Sequence, residues 1–433
     1  MKIKFYSYRV LTLCLVSTLV LSAFFGCNES ENDTDDQEHQ EIEEPFLNPK
    51  YTIEQTISDN AQEKTIAFDA LAFMVGNLGA QTFLPPGKVA DYNGFQYFRD
   101  NDQTNMGHNT SFVPIIALNI LNVLNDNQIS QLVESGKEQV ISINEYGYKR
   151  FALCKAFRRL LDGDLPEGRD GLNQEVVQAY SADLYTLDGT ISYGRAKLFG
   201  KIISSLTNNQ IEQINSLRDL NGIGNWPGES TLTDPTKEMG LEKDVHVAVM
   251  TYASELYTWY KGSLTGDVYF CPERQGTYFG SFYLKDWPAM IGGPNYTIDE
   301  QVTANAGTKF LEILTQDQAD LITGLVDLQR DALLGIVDTR EDIANELRKF
   351  ITNESVDEVL VSNLSKEYGR LDGELIYLYA TNFSKVYKML SDEQKEKLTA
   401  LADELEYVDP QGAFLYSEPI PMPDIEDTDN FFN

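Results

Sequence analysis

The sequence predicts an all-α fold in which two tandem helical-hairpin repeats form a pseudo-dimeric bundle, with aromatic-rich irregular or hairpin insertions. One observation is a five-residue motif: Leu, then Asn, Thr or Ser, then two variable residues and Gln. The second residue can cap a helix, the Gln can accept from the cap's backbone N–H, and the Leu can pack on the first turn. Apolar residues at helical spacing follow, such as Ile211, Ile214 and Leu217. The motif marks helix starts at 124–128, 206–210, 314–318 and 390–394.

Constant spacings between the motifs indicate an internal duplication. An offset of 190 residues relates the first motif to the third, and an offset of 184 relates the second to the fourth. The difference fits a longer loop in the first copy, at 162–168. The two copies cover roughly 110–218 and 303–404. The same offsets match three pairs of polar residues, which are Arg150 with Arg340, Arg158 with Arg348, and Asp188 with Asp372.

The repeated polar residues are predicted to be structural. Positions present in both copies usually serve what both copies share. We therefore expect Asp188 and Asp372 to bond the repeated arginines across a helix hairpin. Removing one partner of such a buried pair would cost about 3–5 kcal/mol.

The amino-terminal segment is predicted to be a lipoprotein signal peptide, residues 1–26. Basic residues precede an apolar run from Val10 to about Phe25, and the run ends at Gly26-Cys27. The small residue before Cys27 resembles the lipobox of bacterial lipoproteins, which implies that Cys27 carries lipid, including palmitate, and anchors the chain to a bilayer. The alternative is an uncleaved anchor helix, although the run is somewhat short for a span of about 20 residues.

Residues 27–50 are predicted to be an acidic disordered tether, because nine acidic and almost no apolar side chains lie between Asn28 and Pro45. An acidic run after the lipid-bearing Cys also resembles the surface-export signal of Bacteroidota lipoproteins, and a solvating spacer is the alternative. We expect an outer-membrane lipoprotein that faces the periplasm or the cell surface. The predicted domains that follow are 51–302, the first helical repeat with aromatic insertions, 303–408, the second repeat, and 409–433, an acidic Pro-containing tail.

The formal charge of −33 limits the classes of partner. Nucleic acid and anionic lipid would both repel such a chain at long range. Cations and basic proteins fit the charge, as does a role in solubility. We expect no nucleic-acid partner.

The Leu-Thr-x-x-Gln pattern of the helix starts resembles the LTxxQ family of periplasmic stress proteins, which includes the Spy and CpxP chaperones. Those proteins are cradle-shaped helical dimers. The resemblance implies that two copies in one chain build a comparable pseudo-dimer, and that it binds a partner protein or an unfolded chain. The match covers the pentads and their helices, and the small family members lack the long aromatic segments of this chain.

Two segments depart from the helical pattern, at 82–109 and 266–286. The Pro and Gly residues of the first rule out a long helix. The second places aromatic runs around a Gly-containing turn, which predicts a hairpin or an ordered loop. These aromatic-rich segments are typical of a surface that binds an aromatic or glycan ligand. The alternative is that they are lids that cover the core of the repeats. The candidate binding residues are Tyr278, Phe279, Phe282 and Tyr283.

Scarce histidines provide an alternative function, a metal-binding or metal-dependent redox protein. His108 and His246 offer imidazole ligands, and Met106 and Met250 offer thioethers, which suit copper or another transition-metal ion. His246 and Met250 lie four residues apart and therefore on one helix face. Satisfied core residues are the competing interpretation, because no C-x-x-C or H-x-x-x-H spacing is present.

Catalysis is not indicated by any motif. No Gly-rich phosphate loop precedes a helix, and no G-x-S-x-G elbow occurs. Cys154 and Cys271 could pair in an oxidising envelope or remain buried thiols, and the spacing favours neither. We expect a binding protein rather than an enzyme.

Overall fold

The computed structural model describes residues 57–75, 112–220, 225–261, 276–279, 282–285, 297–298, 300–404, 413–415, 418–420 and 427–433. These residues are mostly helical, which confirms the all-α class, and they belong to one compact unit. The predicted signal peptide, the acidic tether and the first aromatic segment lie outside them. No helix in these ranges is long and apolar enough to cross a membrane.

The described helices before residue 262 are α1 (Asp59–Val75), α2 (Phe112–Val123), α3 (Asp126–Asp162), α4 (Gln174–Ser204), α5 (Asn208–Asp219) and α6 (Lys243–Lys261). Those after residue 299 are α7 (Glu300–Ile313), α8 (Gln316–Thr323), α9 (Leu325–Arg348), α10 (Glu358–Met389) and α11 (Asp392–Glu404). Short 3-10 helices occur at Glu229–Thr231, Lys237–Met239 and Asp429–Phe431.

The second aromatic segment contains short antiparallel strands. Strand β1 (Gly276–Phe279) pairs with β2 (Phe282–Lys285), and β2 pairs with β3 (Thr297–Ile298). The register places Tyr278 opposite Tyr283 and Phe279 opposite Phe282. A second pair consists of β4 (Ala413–Leu415) and β5 (Glu418–Ile420).

The four pentads begin α3, α5, α8 and α11 through hydrogen bonds of their own residues. In the first, the side chain of Asn125 accepts from the N–H of Gln128, and the Gln128 side chain accepts from the N–H of Asn125. The other three pentads place the Gln side chain on the cap N–H in the same way. These bonds satisfy backbone groups that a helix end leaves without an intrahelical partner.

The glutamines of the pentads also join helix starts to each other. Gln210 Nε2 donates to Gln128 Oε1 over 2.7 Å, and Gln394 Nε2 donates to Gln318 Oε1 over 2.8 Å. The first motif thus meets the second, and the third meets the fourth. A capping residue here also holds a tertiary contact.

Helices α4 and α10 make the most extensive helix-to-helix contact between described elements. Glycines allow their backbones to approach. A Cβ at Gly369 would lie 2.6 Å from the Ser181 carbonyl oxygen, and one at Gly373 would lie 2.7 Å from Gln178 Cα. A Cβ at Gly189 would lie 2.1 Å from Ser365 Oγ.

Helices α1 and α6 pack against opposite halves of the chain. Helix α1 contacts α7 most extensively and then α8, α9, α10 and α11, whereas α6 packs mainly on α2 and α3. At Gly307 of α7 the absent side chain leaves room for the Lys64 carbonyl of α1, 2.5 Å from a Cβ built there. A helix from the start of the described chain therefore completes the packing of the second half.

We expect Gly373→Ala to lower the free energy of unfolding by about 1–3 kcal/mol, because the added methyl group meets backbone atoms of α4. Gly136→Ala in α3 is the matched control, since its Cβ would have its nearest neighbour at an ordinary 3.5 Å. That variant should be stabilised by roughly 0.5–1 kcal/mol. Urea unfolding of both variants measures the difference, and equal stabilities would contradict the close helix contact.

Candidate functional site

A buried polar cluster lies where α4 and α10 meet. The hydroxyl of Tyr185 in α4 donates to Asp372 Oδ2 in α10 over 2.8 Å, and both side chains are buried. Arg340, fully buried, donates from Nη1 to the Tyr368 hydroxyl over 2.8 Å. The rings of Tyr185 and Tyr368 meet edge to face, with centroids 4.9 Å apart. Polar groups from three helices are thus joined inside the bundle.

Like Asp372, Asp188 also lies in the contact between α4 and α10, which we call the seam. It is 3% exposed, and it lines a narrow cavity with Gly189, Ser192 and residues of α9 and α10. The predicted burial of these aspartates in helices is observed. The bonds described above join Asp372 and Arg340 to tyrosines, and the pairing of the repeated aspartates with arginines stays a prediction. Arg150 lies in α3, and its side chain is outside the described residues.

Arg158 and Arg348 donate hydrogen bonds to backbone carbonyls near the C-terminal ends of α1 and α6, respectively. Arg158 Nη1 donates to the Phe73 carbonyl at the end of α1 over 2.9 Å, and its guanidinium lies 5.4 Å from the Phe73 ring. Arg348 Nη2 donates to the Trp259 carbonyl at the end of α6 over 3.1 Å, and it lies 5.6 Å from the Trp259 ring. A cation at a helix C-terminus interacts favourably with the exposed carbonyls and the helix dipole.

A fully buried ion pair joins α4 to α6. Arg195 Nη1 and Glu255 Oε2 are 2.8 Å apart, with side chains 0% and 1% exposed. The Arg195 guanidinium also lies 4.3 Å from the Tyr252 ring centroid, and the Tyr252 hydroxyl donates to Gln139 Oε1 over 2.7 Å. Such a pair persists inside a protein because bonds and rings around it replace water.

The corresponding place in the other half holds a tyrosine instead of an arginine. Tyr379, which an offset of 184 matches to Arg195, donates its hydroxyl to Gln329, and Gln329 Nε2 donates to Gln62 of α1 over 2.9 Å. Burial raises the pKa of Tyr379 well above its usual value, and the charges of Asp69 and Asp372 raise it further. The tyrosine therefore stays protonated as a donor.

Sequence reasoning predicted a helix through His246 and Met250, which is α6. It missed α1, the buried acids of both helices and the similarity between the two, although a signal for that similarity exists. A gapless offset of 186 carries α1 onto α6, Asp69 onto Glu255 and Phe73 onto Trp259. It continues through both aromatic segments. Identical residues along this offset are Thr65 with Thr251, Ala67 with Ala253, Gly76 with Gly262, Leu78 with Leu264, Pro86 with Pro272, Tyr92 with Tyr278, Gly94 with Gly280, Tyr97 with Tyr283, Asp100 with Asp286, Gly107 with Gly293, and Asn109 with Asn295.

His246 lies in a second candidate site, an open pocket of about 450 Å³ beside the loop that precedes α6. Its Nε2 is 3.0 Å from Asp234 Oδ2. The backbone N–H and the hydroxyl of Thr236 donate to Asp234 Oδ1 over 2.8 and 2.7 Å. Burial alone would raise the pKa of Asp234, but the bonds from Thr236 and His246 outweigh it and the pKa is lowered from 3.8.

The predicted metal ligands are not brought together among the described residues. Met250 is partly buried and packs on the hydrophobic core, and His246 contacts Asp234. No group of three or more His, Cys, Asp or Glu side chains with metal-binding geometry occurs in the described part of the chain. His108 and Met106 lie outside it.

The other predicted site residues are placed in part. Tyr278, Phe279, Phe282 and Tyr283 lie in β1 and β2, and their side chains are outside the description. Cys154 is buried in α3. Cys271 and the predicted lipid-bearing Cys27 lie outside the described residues.

Comparison with known proteins adds no relative, since no family model, curated protein or solved structure matches this chain.

We expect the contribution of Asp234 to stability to depend on pH. A carboxylate whose pKa is lower in the folded than in the unfolded state stabilises the fold above about pH 4, and this contribution is lost as the pH falls through the lowered pKa. Asp234→Asn should therefore be less stable than the unmodified chain at pH 7, and the difference should shrink towards pH 3. Urea unfolding at both pH values measures it.

Asp183→Asn is the control, because the Asp183 side chain is 81% exposed. Its difference from the unmodified chain should be small and constant between the two pH values. A gap for Asp234→Asn that does not change with pH would contradict a lowered pKa.

Proposed function

We propose that this chain is an outer-membrane lipoprotein, anchored through lipid on Cys27, whose helical part binds another protein or an unfolded chain without catalysing a reaction. The resemblance of the pentads to the LTxxQ chaperones supports the chaperone-like role. The formal charge of −33 favours a basic or polar partner over nucleic acid.

The proposed architecture is a pseudo-dimer of two copies, α1–α5 and α6–α11, that exchange their first helix, with α8 and α9 of the second copy together corresponding to α3 of the first. By the offset of 186, α1 and α6 are equivalent first helices. Each packs against the second helix of the other copy, α1 on α7 and α6 on α2. The rings of Phe73 and Phe383 are 5.8 Å apart, and those of the equivalent Trp259 and Phe199 are 5.9 Å apart.

Contacts at the seam between α4 and α10 support the same architecture. A Cβ at Gly189 would lie against Ser365 and the Val361 carbonyl, and one at Gly373 would lie against Ser181 and the Val177 carbonyl. These residues are equivalent in pairs by the offset of 184: Gly189 with Gly373, Ser181 with Ser365, and Val177 with Val361. Reciprocal contacts of this kind are the mark of a twofold interface.

The observation that carries the binding role is the aromatic sequence pattern that both copies share between their first and second described helices. Tyr92, Gly94 and Tyr97 in one segment match Tyr278, Gly280 and Tyr283 in the other. Both segments follow the first helix of a copy and precede the second. Because the buried Tyr185 and Asp372 already bond each other between α4 and α10, we assign partner contact to the repeated aromatic residues, which combine apolar area with a polar tip.

The test is suppression of aggregation of a chemically unfolded client by the purified chain. The unmodified chain should keep the client in solution, and Tyr97→Ala with Tyr283→Ala should lose most of that effect while its melting temperature stays nearly unchanged. Ile141→Ala is the control, since Ile141 is an apolar side chain of α3 that is 72% exposed. This control should retain the activity.

Two results would contradict the proposal. If the tyrosine variant retains full activity, or melts many degrees lower, the aromatic segments serve as lids over the core. A stoichiometric metal in the purified chain, lost with His108→Ala and His246→Ala, would support the alternative metal-binding or redox function in its place. Elemental analysis after purification without chelator measures the metal.

A further inference from the structure

The segment Thr428–Asn433 docks into a groove on the first copy, formed by the end of α3, the loop before α4 and the first turns of α4. Its two phenylalanines are almost fully buried, Phe431 at 4% and Phe432 at 2% exposed. The Phe431 ring meets the Tyr180 ring edge to face, with centroids 5.1 Å apart. Buried aromatic side chains are the usual anchors of a recognised peptide.

The backbone of the segment pairs with the loop in the manner of an added strand. Leu172 and Phe432 form an antiparallel bridge. The N–H of Asn173 donates to the Phe431 carbonyl over 2.7 Å, and the N–H of Asn433 donates to the Gly171 carbonyl over 2.9 Å. Main-chain pairing of this kind provides affinity, and side-chain pockets provide selectivity.

Arg159 recognises the acidic part of the segment. Its Nη1 donates to Asp429 Oδ1 over 2.7 Å and to Thr428 Oγ1 over 2.9 Å, and its guanidinium lies 5.1 Å from the Phe432 ring centroid. The hydrogen bond to Asp429 is the main cause that raises the pKa of Arg159. The Arg159 side chain thus contacts a carboxylate, a hydroxyl and an aromatic ring of the segment.

The groove belongs to one copy. The offset of 190 places Lys349 at the position of Arg159, and the offset of 184 places Leu364 at the position of Tyr180. Lys349 instead contacts Glu346 over 2.5 Å. The longer loop of the first copy, 162–168, contacts the groove through Asp164, whose Oδ2 accepts from Arg159 Nε over 3.2 Å. A contact that the bundle needs in order to fold would be expected in both copies. The groove residues occur in the first copy alone, so we infer that they serve a function other than folding of the repeat.

We propose that this groove is a peptide-recognition site, occupied in the chain by its own segment. Its external ligand is an extended peptide with an acidic residue followed two and three positions later by phenylalanines. Residues 405–426 join the resident segment to α11 in the chain, and a segment that belongs to the same chain as its site is present there at a local concentration on the order of millimolar. An external peptide therefore competes with it, and binding at the groove is autoinhibited.

The test uses a fluorescent peptide with the sequence of Asp427–Asn433 and the full-length variant Phe431→Ala with Phe432→Ala, which empties the groove. Fluorescence anisotropy should show saturable binding to this variant and at least about tenfold weaker binding to the unmodified chain, because the tethered segment competes. A peptide with both phenylalanines replaced by alanine should bind neither protein.

Variants of the groove then separate recognition from non-specific binding. Adding Arg159→Ala to the emptied variant should weaken peptide binding by about tenfold, the loss expected for a charge-assisted hydrogen bond. Arg169→Ala is the matched control, because Arg169 is exposed in the same loop, and it should leave peptide binding unchanged.

Circular dichroism establishes that each variant is folded before it is used. If the emptied variant does not fold, Asp429→Asn replaces it: this change weakens the resident contact at a side chain that is 61% exposed, and it should increase peptide binding over the unmodified chain. Absence of peptide binding to the folded variant, or equal binding with and without Arg159, would overturn the proposal and leave the segment as an internal clasp.

Discussion

The close approach of α4 and α10 is the contact on which the rest of the structure depends. Gly369 and Gly373 bring the α10 backbone against α4 at distances that a Cβ would not allow. Interiors are packed as densely as organic crystals, so the partner surface cannot simply move away from an added methyl group. Each of these helices also carries one of the repeated aspartates into the seam, which ties the position of the polar cluster to the glycine contact.

Burial of polar side chains between helices costs free energy unless they are bonded, and an unbonded group would favour another arrangement. Tyr185 with Asp372, and Arg195 with Glu255, meet this condition with short bonds between different helices. A slip of α4 along α10 would break the first bond, and a displaced α6 would break the second. The polar core therefore specifies which helices meet, a role that apolar packing alone fulfils less strictly.

The helix starts could be predicted from sequence, because capping is a local property. Gln128 and Gln394 contact their caps as the pentad chemistry requires. The partners of Arg158 and Arg348 could not be predicted, since Phe73 and Trp259 are distant in sequence and belong to helices whose similarity is weak.

The loop contacts were beyond prediction for a similar reason. His246 has a helical neighbour at Met250, which suggested a shared ligand, yet its nearest charged partner is Asp234 in the preceding loop. Nothing in the spacing of these residues fixes the path of that loop. The docking of Phe431 and Phe432 likewise depends on the backbone path of Leu172 and Asn173 before α4, which no spacing in the sequence fixes.

Crosslinking of engineered cysteines by a short reagent that bridges two thiols tests the exchange of first helices most directly. The Lys64 carbonyl of α1 lies beside Gly307 of α7, so Lys64→Cys and Thr308→Cys, the next residue of α7, should be bridged, which the altered mobility of the chain in a gel detects. In an arrangement without exchange, α1 would pack on α2, and Lys64→Cys would instead be bridged to Leu118→Cys, the position equivalent to 308. Bridging of the first pair and not the second is the predicted result, and the reverse would contradict the exchange.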